Sequence, residues 1–341
     1  MQRQLKGLIL SSSISGMLTT LFMLFFVGMA FSSALAGFCI GFFAYLSIYL
    51  YKTRVEPFYS RKLNLLLLLL LNTIVQVLLI LLVTLFFIGI IFLKGDFKFF
   101  FSEHFSLFRG IYLIGLLYGL ILSMIFSFLS IVSNIIGKNI LPKLFIGRYR
   151  SPVEEERIFM FLDIASSTTI AEKIGHLNYL SLLNDFFYDV ADPVYRTKGE
   201  IYKYVGDEVI ITWKMKNGLA DSNCVRCFFL IDETISDRSD YYHTKYGLVP
   251  EFKAGLHSGM AVIGEVGMTK REIAFVGDVL NTTARIESEC KNLNKRLLAS
   301  EDLVKRINLP GYILKREVGT VKLRGKEKEI RLFSLSWLTP G

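Results

Sequence analysis

The chain has 341 residues, is 52% hydrophobic and carries a formal net charge of +9, with a mean hydropathy of +0.45. Such an average excludes a single soluble globular domain, and the apolar excess lies before about residue 137, so the totals mix two solvents. The charge does not mark a nucleic-acid binder, because many of the cations flank apolar segments, where positive-inside bias expects them.

No charged residue occurs from Gly7 to Tyr51, a length that allows two membrane spans of about 20 residues each. These are expected over 7–28 and 31–51. A third span, 63–93, contains the run LLLLLLL and reads as one tilted helix with an interfacial end, a re-entrant hairpin being the lesser reading; a fourth covers 110–136. The N-terminal apolar stretch is longer than a signal-peptide core and further spans follow it, so it reads as retained. The loop 52-KTRVEPFYSRK-62 holds four cations and one acid, Arg3 and Lys6 precede the first span, and Lys138, Lys143, Arg148 and Arg150 follow the last. Four spans with this bias place both the N-terminus and the C-terminal part on the cytoplasmic side of the cell's inner (plasma) membrane. The polar residues of the spans, Asn64, Asn72, Gln76 and Asn134, include no acid or base, which favours a bilayer anchor and dimerisation device over a transport path. The organisation expected is a transmembrane domain over 1–136, a linker over 137–153 whose Pro142 and Pro152 break any continuous helix, and a soluble domain over 154–341.

In the soluble part, RIFMFLD (157–163) reads as a buried strand ending on an acid. ASSTTIAEKIG follows, a helix capped by Ser or Thr and ended by Gly175. A second helix is expected over 178–197, then a hairpin, EIYKYVGDEVIITW (200–213), turning at Gly206-Asp207. A helix over 218–236 would bury Cys224 and Cys227, which form a lone C-x-x-C without a second pair at zinc spacing. Two strands, 251–258 and 260–266, are expected to turn at Ser258-Gly259, with His257 in a structural position. A helix capped by Asp278 and further strands close the chain. This order is an α+β, ferredoxin-like split βαβ fold on an antiparallel sheet.

That topology lays the first strand antiparallel to the second strand of the hairpin, so Asp163 and the turn residue Asp207 converge. Two carboxylates at one place repel unless a cation lies between them, and such hard oxygen ligands suit Mg²⁺ or Mn²⁺. The residues after Asp163, Ile164 to Thr168, enter a helix whose first N–H groups would receive an anion. Singly, each acid has a plain reading as a cap or a turn residue; together they make the constellation of phosphoryl or nucleotidyl transfer. In 275-FVGDVLNTTARIES-288, Asn281 and Arg285 lie at i, i+4 on one helix face, and both can donate to phosphate oxygens.

FLDIASST, KYVGDEVI, KAGLHSGMAVIGEVG and VGDVLNTTARIES, in this order and spacing, resemble the catalytic domain of class III nucleotidyl cyclases, over about Glu154 to Leu335. The resemblance implies that Asp163 and Asp207 hold two Mg²⁺ or Mn²⁺ ions, with the Ile164 carbonyl as a further ligand. It implies that backbone N–H groups of Ser166, Ser167 and Thr168 hold the triphosphate, that Lys203 bonds adenine N1, that Asn281 orients the ribose and that Arg285 stabilises the transition state. Arg324 would grip the terminal phosphates, with Lys326 as the near alternative. One position departs from the pattern: where adenylyl cyclases carry Asp or Thr to read the adenine amino group, this chain has Ala274. The implied activity is conversion of ATP to 3′,5′-cyclic AMP and pyrophosphate in a homodimer, with Asp163 and Asp207 from one protomer and Lys203, Asn281 and Arg285 from the other. A guanylyl or dual-specificity cyclase and a non-catalytic nucleotide-binding receptor are the alternatives.

Overall fold

An uncharged apolar segment in lipid can satisfy its backbone only internally, and helix is what the described residues 12–21, 31–54 and 65–92 form. In the computed structural model, which describes residues 12–21, 31–56, 63–92, 121, 124–125, 127–129, 147, 149–269, 271–321 and 329–337, the chain divides into two compact units, Met1–Ile136 and Gly137–Gly341.

In the first unit, α1 spans Phe31–Arg54 and α2 spans Leu65–Phe92. Asn64 starts α2 by accepting the Leu67 N–H at 2.8 Å, a side-chain cap on an otherwise orphaned donor. One described helix, over Leu66–Val83, is long and apolar enough to cross a membrane, while the apolar part of α1, Phe38–Lys52, is shorter. Residues 12–21 are helical, and Gly41 of α1 lies against them: a Cβ there would stand 2.4 Å from Thr19 Oγ1 and 2.6 Å from the Ser15 carbonyl. Such bare contacts let apolar helices approach closely. Two of the polar span residues are paired, Asn72 Oδ1 accepting from Tyr51 Oη at 2.8 Å and Gln76 Nε2 donating to Ser127 Oγ at 2.8 Å; Asn134 lies outside the described residues. Most of the expected first and fourth spans, 7–28 and 110–136, lies outside the described residues.

The second unit is built on β1 (Val153–Ile164), a 12-residue strand with its central residues buried. Ile158, Met160, Leu162 and Ile164 point into one core, with α4 (His176–Arg196) and α6 (Asn223–Asp237); Phe159 and Phe161 point into a second, with α8 (Asp278–Asn292). Burial on both faces is why the strand reads as an unbroken apolar run. Between these elements lie α3 (Ser167–Ile174), the hairpin β2 (Glu200–Val205) and β3 (Glu208–Lys214), α5 (Met215–Leu219), and α7 (Ser239–Tyr246). β4 (Phe252–Val266), β5 (Glu272–Val276), β6 (Leu297–Ser300), α9 (Glu301–Val304), β7 (Ile313–Val321) and β8 (Ile330–Trp337) complete the unit. The sheet order is β2-β3-β1-β4-β6-β8-β7, with β5 paired to β4. Its first four strands are the split βαβ arrangement expected of a ferredoxin-like fold.

Three local expectations are corrected. Ser258-Gly259 is no turn: β4 runs unbroken through it, and the reversal comes after Val266, towards β5. The glycines of β4 serve approach instead. A Cβ on Gly255 would lie 2.4 Å from the Glu287 backbone N, and one on Gly259 would lie 3.2 Å from Val279, so α8 rests on this strand. The helix expected over 218–236 is broken at Asp221, where φ is 53°, and α7 follows it unannounced. α8 is capped by Gly277, leaving Asp278 as its first residue. The cysteines behave as read: Cys224 and Cys227 are buried, free thiols on α6. His257 is buried with Nδ1 2.7 Å from Ser300 Oγ.

Candidate active site

β1 pairs with β3 so that Leu162 faces Val209, which sets Asp163 beside the β2–β3 turn. The turn is tight because Gly206 adopts φ 63°, the left-handed conformation that a two-residue hairpin with glycine in its first position requires. Asp207 follows it, and the two carboxyl groups converge. Burial, and then the charge of Asp207 and a hydrogen bond to it, push the Asp163 carboxyl up to about 6.

The cluster is larger than these two acids. Glu208 is pushed up to about 7 by burial and then by the charges of Glu287, Asp163 and Asp207. Glu287 arrives from α8, carried in by the close contact at Gly255. Lys253, the register partner of Asp163 on β4, places Nζ 3.2 Å from Asp163 Oδ2 and 2.5 Å from Glu287 Oε1. Burial alone would lower the pKa of this lysine; the bond to Glu287 and the charges of Glu287 and Asp163 outweigh it and raise the value. Tyr179 of α4 faces the same cluster, its phenol raised by burial and then by Asp207. Sequence reasoning missed Lys253, Glu208 and Glu287. The only signal was their place inside the quoted segments.

A divalent metal fits this donor set. Carboxylates crowded enough to hold protons near neutrality gain by exchanging them for a cation, and Mg²⁺ accepts one or two carboxylates with the rest of its shell from phosphate and water. Among the described residues no group of three or more His, Cys, Asp or Glu side chains is arranged to hold an ion, so Asp163 and Asp207 would not close the shell alone. Ile164, the last residue of β1, adjoins them. Ser166 follows in the left-handed region (φ 57°, ψ 33°), and α3 then starts without any side-chain cap. The first N–H groups of that helix, from Ser167 and Thr168 on, therefore have no internal acceptor and point along the positive end of the helix.

The remaining candidates fall elsewhere. Lys203 stands on β2 just after a register shift between Ile201 and Lys203, and its Nζ lies 3.3 Å from Glu272 Oε1 of β5. Ala274 is on the same short strand. Asn281 and Arg285 share the face of α8 opposite to Val279, Thr283, Ile286 and Cys290, which are buried. One helix thus turns Glu287 towards the carboxylates and Asn281 and Arg285 away from the sheet. Arg324 and Lys326 lie outside the described residues.

Among curated proteins, the chain is 39% identical over 221 residues to "Adenylate cyclase 2" of Rhizobium meliloti, an alignment covering 65% of this chain and 61% of that protein. It is 25% identical over 183 residues to "Adenylate cyclase" of Anabaena cylindrica, covering 52% and 36%. The chain thus spans less than two thirds of the length of these relatives. Its fold is similar to that of a bacterial light-regulated adenylyl cyclase, with a TM-score of 0.55 at 18% identity over 64% of each chain. The model of the family described as "Adenylate and Guanylate cyclase catalytic domain" matches residues 151–336, and with more than half of its length matched the chain belongs to that family.

Proposed function

We propose that the chain is a membrane-anchored adenylyl cyclase that converts ATP to 3′,5′-cyclic AMP and pyrophosphate. The observation that carries this reading is the meeting of Asp163 and Asp207 where β1 ends at the β2–β3 turn, beside the uncapped start of α3. Two Mg²⁺ or Mn²⁺ ions, when bound, would supply charge to acidify the ribose 3′-hydroxyl and to neutralise the phosphates. Asp163 and Asp207, with the Ile164 carbonyl, would hold them. The N–H groups of Ser166, Ser167 and Thr168 would cradle the triphosphate. Lys203 would bond the purine, Asn281 would orient the ribose for in-line attack at the α-phosphorus, and Arg285 would donate to the oxygens on which charge accumulates. Arg324, or Lys326 beside it, would bind the terminal phosphates.

A homodimer is part of the reading. Asn281 and Arg285 share the outward face of α8, while Asp163, Asp207 and Glu287 face one another. A second copy offering its own α8 would complete a site that one chain leaves in halves, and two-fold symmetry would give two such sites. The anchor is read as four spans in the inner membrane with the catalytic unit cytoplasmic, supported by the apolar length of α2 and the cation-rich segments flanking the spans. Because Ala274 has no hydrogen-bonding side chain, a guanylyl or dual-specificity cyclase is the second reading.

The test is cyclic nucleotide production by the full-length protein with Mn²⁺, with ATP and GTP offered separately, beside Asp207→Ala. Cyclic AMP from the wild type and none from the variant supports the reading. Product from the variant at the wild-type rate removes Asp207 from the mechanism. Comparable cyclic GMP would move the assignment to dual specificity.

A further inference from the structure

The strand that carries Ala274 also carries a carboxylate, Glu272, that no role above uses. Along β5, residues 272 and 274 share one face and 273 and 275 the other. Register pairs Glu272 with Val266 and Ala274 with Gly264. On the opposite face Phe275 packs edge-on against Tyr202 and Phe159, and its N–H donates to Tyr202 Oη at 3.2 Å. β2 and β5 are therefore tied together through backbone and ring contacts at the residues next to Lys203 and Ala274. On the open face Glu272 Oε1 stands 3.3 Å from Lys203 Nζ, with the two side chains 44% and 47% exposed.

This pair has a definite recognition chemistry. An ammonium only donates and an ionised carboxylate only accepts. Adenine offers an acceptor at N1 beside a donor amino group at the six-position; guanine offers N1–H beside the acceptor O6. With Lys203 at N1, a carboxylate at the neighbouring six-position accepts from the adenine amino group and repels guanine O6. Ala274 cannot do this, and Glu272, one pleat away on the same face and already engaged with Lys203, can. We propose that Glu272 is the second base-reading residue of the nucleotide site, supplying the acceptor that position 274 lacks and selecting ATP over GTP. The inference rests on the nucleotide-site reading of Lys203 given above.

The experiment compares kcat/KM for ATP and for GTP, with Mn²⁺ and the full chain, in the wild type, Glu272→Ala, Glu272→Gln and the double variant Glu272→Ala/Ala274→Asp. Arg271→Ala, next to it and ion-paired with Glu265, is the control. The ATP:GTP ratio should fall roughly tenfold in both single variants, chiefly through KM for ATP. It should return in the double variant and stay unchanged in the control. An unchanged ratio in Glu272→Ala, or an equal loss for both nucleotides, overturns the proposal and leaves Glu272 as a support for Lys203. Calorimetric binding of ATP and GTP runs in parallel. A wild type that binds nucleotide without forming product sinks the cyclase reading, while its affinity ratio still tests Glu272; a wild type that binds neither sinks both.

Discussion

Lys253 and Asp163 face each other across the β1–β4 ladder, and the lysine ammonium bridges from that aspartate to Glu287 on α8. It is the cation that holds a group of acids together at the end of β1. Replacing it leaves four carboxyl groups, Asp163, Asp207, Glu208 and Glu287, repelling in a half-buried place.

Lys253→Met is therefore expected to destabilise the second unit by about 2 kcal/mol. Both tryptophans, Trp213 and Trp337, lie in that unit, so their fluorescence during thermal unfolding of the full chain reports on it selectively. A melting temperature equal to that of the wild type would show that the bridge contributes nothing.

The same acids set a pH dependence. Asp163 and Glu208 keep protons up to about 6 and about 7 in the folded chain, above their ordinary values, so the folded state binds more protons than the unfolded one in that range. Without metal, stability falls as pH rises from about 4 to about 7. Mg²⁺ or Mn²⁺ replaces the lost protons, so the rise in melting temperature on adding metal should be larger at pH 8 than at pH 5. An equal gain at both values would separate the metal from this cluster.

Gly255→Ala places a methyl group 2.4 Å from the Glu287 backbone, which cannot rotate away. α8 must shift, at a cost of about 1–3 kcal/mol, and it carries Asn281 and Arg285 with it. Cyclase activity is expected to fall at least tenfold. Gly259→Ala meets side chains and no backbone, Val279 at 3.2 Å and His257 Nε2 at 3.9 Å, and should be much milder in the same activity and melting assays.

Mixing Asp207→Ala chains with Arg285→Ala chains tests the shared site. Each is expected to be inactive alone. Random pairing makes half the dimers mixed, each with one intact site of two, so the mixture should recover about a quarter of wild-type activity. No recovery, with exchange of protomers demonstrated, would place both residues in one chain's site.

What could be read in the sequence was what depends on short-range geometry. The meeting of Asp163 and Asp207 follows from a strand, a hairpin turn and their register. Lys253 and Glu287 could not be read because they meet only where α8 descends onto the bare Cα of Gly255, a contact between segments far apart in the chain. The same glycine chemistry misled the reading of Ser258-Gly259: absence of a side chain there makes room for a helix, and the strand continues. α7 was missed for another reason. SDYYHTKY has no aliphatic stripe: it buries only the rings of Tyr242 and Tyr246 in the core, and polar contacts add to them, with Tyr241, Lys245 and Tyr246 all donating to Asp185 Oδ2, at 2.7–2.8 Å, and Tyr242 and Arg238 binding Asp189.

β1 joins the two ends of the story in one piece of chain. Its first residue, Val153, is where the segment leading from the N-terminal unit enters the sheet, and its last turn of pleat carries Asp163. Over its length β1 is bonded to β4 from Val153 to Ile164 and to β3 from Arg157 to Leu162. A pull on the entering chain along the strand would therefore load both ladders in shear, with many bonds sharing the force at once.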